Sequence, residues 1–155
     1  MIFSVRPALA GYPEGVLAFE GARYNKALTE FRPLAARGHA GAEFMLGVMN
    51  FQGKGVAQNK LIAAVWFHKA AQKGHAGAQL AFGSVFIRGI GVYQDISKAY
   101  MWLTLAVESN VQGLSQQATN LRDDAKKLMT PSEINAAQQA ARKFKVSPAG
   151  LVREN

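Results

Sequence analysis

The stretch GHAGAEFMLGVMNFQGKGV (residues 38–56) returns 36 residues later as GHAGAQLAFGSVFIRGIGV (residues 74–92). Aligning 38–73 with 74–109 needs no gap and gives 13 identities, among them Gly38, His39, Gly47, Gly53, Gly55, Gln58, Ala63 and Trp66. Small residues dominate these identities, and small residues recur where backbones approach closely or φ turns positive. The duplication is therefore a packing pattern before it is a chemical one.

Each copy reads as two helices. In the first, Ala42, Met45, Leu46 and Met49 recur at helical spacing, and Gly53 stands where a left-handed C-terminal cap belongs. The second opens at Asn59 or Asp95, both good N-caps, and carries Ala63, Trp66, Phe67, Ala70 and Ala71 on one face. One hairpin leaves its apolar stripe uncovered, so neighbours must stack on it. The fold class that follows is all-α: a right-handed α-solenoid of stacked antiparallel helical hairpins, closed by C-terminal capping helices.

The motifs A-x-x-x-L-G (Ala42 to Gly47), G-x-G-V (Gly53 to Val56), A-x-x-W-x-x-x-A-A (Ala63 to Ala71) and G-x-x-x-A (Gly74 to Ala78) resemble the Sel1-like repeat, a relative of the tetratricopeptide repeat. The second copy departs at Phe82 and Val107, both conservative changes. The resemblance sets units at 38–73 and 74–110. Residues 12–37 look like a tetratricopeptide-like capping hairpin whose loop is four residues shorter and lacks G-x-G-V. Pro33 falls within its second helix and is expected to bend or interrupt it. Residues 111–146 are expected to form C-terminal capping helices, the last opened by Thr130, Pro131 and Glu133 as a capping box with a proline start. Residues 147–155 read as a tail. Residues 1–11 read as a leader or export-signal remnant, because Ala8-Leu9-Ala10 has the small-x-small form of a cleavage site. This points to a periplasmic or secreted protein, with the cytoplasm as the alternative.

The 155 residues are 49% hydrophobic, lack cysteine and contain no apolar run long enough to cross a bilayer, so membrane insertion is not expected. The net charge of +8 is spread along the chain: the excess of Lys and Arg is +2 over 1–37, +3 over 38–110 and +3 over 111–155. An even distribution is a solvated surface, not a nucleic-acid footprint. G-K-G-V and G-I-G-V are not phosphate loops, since no hydroxyl residue follows a lysine at a helix start and no strand precedes them. His39 and His75 share a repeat position but have no companion ligands, and packed helices lie about 8 to 10 Å apart. No nucleophile stands with a histidine and an acid. No catalytic residue, metal or cofactor is expected, and Trp66 and Trp102 read as core.

The surplus lies in the first helices. In tetratricopeptide hairpins these line the concave groove, and that register places Phe44, Val48, Phe51 and Gln52 there, followed by Leu80, Ser84, Ile87 and Arg88. The helix from Ala42 is apolar almost all round, so either the chain's own C-terminal helices cover it or a partner does. The resemblance implies a non-enzymatic interaction module that takes a protein or peptide in this groove, with Phe44, Val48, Phe51, Leu80, Ile87 and Arg88 as contacts. A cell-wall role in penicillin or peptidoglycan binding is the alternative that the resemblance carries, and nucleic-acid binding through net charge is a weaker one.

Overall fold

The computed structural model describes residues 11–146, which form eight α-helices and no strand. These are α1 (Tyr12–Glu20), α2 (Tyr24–Ala36), α3 (Ala40–Gln52), α4 (Lys60–Gln72), α5 (Ala76–Arg88), α6 (Ile96–Glu108), α7 (Leu114–Lys126) and α8 (Pro131–Val146). The leader at 1–10 and the tail at 147–155 lie outside the described residues.

The duplicated residues set where helices start and stop. Asn59 and Asp95 cap α4 and α6, their Oδ1 atoms accepting from Ile62 and Lys98 N–H at 3.0 and 2.9 Å. Gly53 and Gly89 end α3 and α5 at φ 70° and 63°, a conformation only glycine takes cheaply. The shared glutamine also has work: Gln58 and Gln94 donate to the carbonyls of Phe51 and Ile87, which ties each loop to the helix it leaves. α2 is not interrupted at Pro33 and runs on to Ala36. Pro33 and Thr29, whose carbonyl loses its donor, are both on the exposed face, so the missing bond is not buried.

His39 and His75 are N-caps in the strict sense, each Nδ1 accepting an N–H, from Ala42 and Ala78, at 3.1 Å. Accepting requires an unprotonated nitrogen. Burial lowers the His75 pKa, and the nearby His39 lowers it further; burial also lowers that of His68, which sits between Phe82 and Trp102. As pH falls, the unfolded chain takes up these protons first, near the ordinary histidine value of about 6.5. Stability is therefore whole above that pH and declines until the folded histidines are protonated too. Urea midpoints are expected to fall between about pH 7.5 and pH 5, and less steeply in His75→Asn, which keeps an N-cap but not the titration.

The core forms in stages. Leu28, Phe31, Leu46 and Met49 pack together across α2 and α3, with Ala18 of α1. Phe67, Phe82, Val85 and Trp102 join α4, α5 and α6. Within each hairpin a glycine allows the helices to close: a Cβ on Gly47 would stand 2.5 Å from the Phe67 ring, and one on Gly83 would stand 2.8 Å from Leu103 Cγ. α7 packs on α5 and α6, while α8 packs on α6. There the Thr130 N–H donates to Glu133 Oε2 at 2.7 Å and the Glu133 N–H to Thr130 Oγ1 at 3.3 Å, which is the expected capping box. Buried Tyr100 lies between Ala125 and Ala137, its hydroxyl accepting from Gln138.

Candidate protein-binding groove

α3 and α5 are the first helices of successive hairpins, and the furrow between them holds a cavity of about 290 Å³. Phe51, Phe67, Ala81, Val85 and Ile90 make its lining apolar, with Ser84 and Arg88 as the polar members. Phe51 is held by the Phe67 ring at 6.2 Å and by the Lys60 ammonium 5.8 Å from its own centroid. The Ser84 hydroxyl is already committed to the Leu80 carbonyl at 2.8 Å. Arg88, by contrast, is exposed and makes no ion pair among the described residues.

Of the six residues expected here, Phe51 and Arg88 line the cavity. Phe44 and Val48 are half-buried on the same helix; Phe44 stacks on His75 at 4.6 Å and meets Phe67 at 5.9 Å. Leu80 has to be corrected, because it is buried against Leu103, Ala106 and Ala118 and offers no surface. Ile87 is half-buried and packs against the clusters built by α6 and its C-terminal neighbours. On α5, Leu80 is thus turned away from the expected groove and Ile87 is partly covered, while Ser84 and Arg88 of the same helix still line the open cavity.

Two features escaped the sequence reading. Trp66 and Trp102 share a register, yet only Trp102 is core, covered by Phe144 of α8 at 5.1 Å. Trp66 is half-buried beneath the Lys69 ammonium, 4.6 Å from its ring, and lines a second cavity of about 390 Å³ with Glu43, Lys69 and Lys73. Glu43 is only 3% exposed; its Oε1 is paired with Lys73, and its Oε2 is buried with no hydrogen-bond partner among the described residues. The only sequence signal was a single difference between copies, since Glu43 stands where the second copy has Gln79.

No group of three His, Asp or Glu side chains close enough to hold a metal occurs among the described residues, and no described helix is long and apolar enough to cross a membrane. The furrow presents an apolar lining with one cation, Arg88, at its edge.

The family model for the Sel1 repeat matches residues 40–75 and 76–111, each match opening at the first residue of α3 or α5. A protective antigen present in uropathogenic Escherichia coli strains, which displays an SLR fold, is similar at TM-score 0.82 and 29% identity. That likeness covers 94% of this chain and 31% of the antigen, so the chain spans about a third of that protein. A Sel1 repeat protein from Oxalobacter formigenes is similar at TM-score 0.64 and 24% identity, over 74% of this chain and 89% of its own. No curated protein matches in sequence. Two consecutive family matches, each on one helical hairpin of an all-helical solenoid, show that this chain carries two Sel1 repeats.

Proposed function

We propose that the chain is a non-enzymatic binding module that takes an extended or helical segment of a partner protein in the furrow between α3 and α5. Sel1 repeats in general mediate contacts between proteins. The observation that carries the finer reading is the open apolar cavity bounded by Phe51 and Ala81, with an exposed arginine at its edge that makes no ion pair among the described residues. Apolar anchors in such a cavity supply the affinity, and Arg88 selects for a carboxylate on the bound segment. Phe44 and Val48 extend the apolar wall along α3.

The test is capture of a partner by the wild-type chain, followed by two variants that leave the core alone. Ser84→Phe fills the cavity and Arg88→Glu reverses its charge. Each is expected to weaken the captured interaction at least tenfold, with helical circular dichroism unchanged. Undiminished binding by both would rule out the furrow as the site.

A further inference from the structure

The cavity at Trp66 holds charges that its counterpart one hairpin later does without. Ala35 and Ala36 at the end of α2, Glu43 of α3, and Trp66, Lys69 and Lys73 of α4 line about 390 Å³. That is a size at which small molecules are held. In the second copy the same register carries Gln79, Leu105 and Ser109 in place of Glu43, Lys69 and Lys73. There the place is closed without charge. Gln79 and Leu105 are buried, the Gln79 amide donates to the Ala71 carbonyl, and Ser109 Oγ donates to the Ala106 carbonyl. The fold can therefore be built with no ion at any of these three positions.

What the charges leave unmet defines a ligand. Glu43 Oε2 is buried with no hydrogen-bond partner among the described residues, and a carboxylate oxygen can only accept. The register that brings the Gln79 amide to the Ala71 carbonyl sets Glu43 at the carbonyl of Ala35, so an acceptor stands where the second copy has a donor. A group rich in N–H is missing there. Lys69, in turn, is exposed, lies over the Trp66 ring at 4.6 Å and makes no ion pair among the described residues. Lys73 is 38% exposed and is paired with Glu43 alone. A simple cation would meet two lysines in this cavity. A simple anion would leave Glu43 Oε2 unpaired and set a like charge beside it. A molecule carrying both charges answers both demands.

We infer that this cavity binds a free α-amino acid. Its ammonium donates to Glu43 Oε2, its carboxylate accepts from Lys73 and Lys69, and its side chain lies along the Trp66 ring. The ammonium reaches Oε2 as Lys73 turns from Glu43 to the ligand carboxylate, so a buried ion pair is exchanged and no charge is left stranded. The site is separate from the α3–α5 furrow and stands whether or not the furrow takes a partner.

The probe is L-leucine, titrated into the full chain and followed by the indole N–H signals of the two tryptophans. A saturable shift of the Trp66 signal is expected, with that of Trp102 unmoved. Isocaproate, which is leucine without its ammonium, and isoamylamine, which is leucine without its carboxylate, should each bind at least tenfold more weakly. Glu43→Gln and Lys69→Leu, borrowed from the second copy and so compatible with the fold, are each expected to weaken leucine binding at least tenfold with helical circular dichroism unchanged. No saturable shift at Trp66, an analogue that binds as tightly as leucine, or undiminished binding by both variants would each overturn the assignment.

Discussion

Gly91→Ala is expected to destabilise the protein by at least about 3 kcal/mol, read as a fall in urea midpoint at unchanged m-value. Gly91 sits at φ 74°, where an L side chain costs about 1 to 2 kcal/mol. A Cβ there would also stand 2.2 Å from the carbonyl oxygen of Lys60. That oxygen belongs to backbone in the first turn of α4 and cannot rotate aside as a side chain would, so an overpacking cost adds to the conformational one. Gly113→Ala separates the two contributions. Gly113 has φ 81° but nothing within 4 Å of a built Cβ, so only the conformational cost of about 1 to 2 kcal/mol is expected there. Equal losses in the two variants would mean that the contact with Lys60 is unimportant.

Lys73→Met should cost about 2 to 3 kcal/mol, because it strands the Glu43 carboxylate, buried and already short of one partner. The lysine's own partial exposure keeps the figure at the low end. The neighbouring hairpin suggests the rescue. Gln79, at the register of Glu43, donates its amide to the Ala71 carbonyl, and the matching carbonyl for residue 43 is that of Ala35. Glu43→Gln alone is expected to lie within about 1 kcal/mol of wild type, since the lysine it leaves is 38% exposed and can be solvated. Added to Lys73→Met, it should restore most of the loss. A double variant as unstable as Lys73→Met alone would show that the lysine acts by packing and not by charge.

These residues also mark how far the sequence could be read. The hairpins were legible because their determinants are local: Asn59, Asp95 and Thr130 announce helix starts through side chains that reach three residues, and Gly53 and Gly89 announce ends through φ. Ala63 could be read onto the buried face because the helical spacing that sets that face is itself local. The fate of Leu80 was not legible in this way. It depends on α7, whose run of Gln, Asn, Asp and Arg gives little hint of where Ala118 and Leu121 will settle. The two tryptophans differ for the same reason, since one receives Phe144 from α8 and the other has no such helix above it. Register predicts which residues are alike, and long-range cover decides what each of them does. Leu80 and part of Ile87 were lost to that cover, while Ser84 and Arg88 of the same helix stayed in the furrow.

The contact between Gly91 and the Lys60 carbonyl has a parallel one hairpin earlier, where Gly55 at φ 74° lies 2.8 Å, as a built Cβ, from Tyr24 at the start of α2. Each loop thus rests on the opening turn of the second helix in the preceding hairpin, against backbone at Lys60 and against side-chain atoms at Tyr24. Such a joint is indifferent to how many copies precede it but intolerant of a shift within it. Chains of this kind can grow or shrink by whole 36-residue steps with every seam intact, whereas one residue inserted between Gly89 and Asp95 would unseat two hairpins at once. Length in this architecture is quantised by its loops.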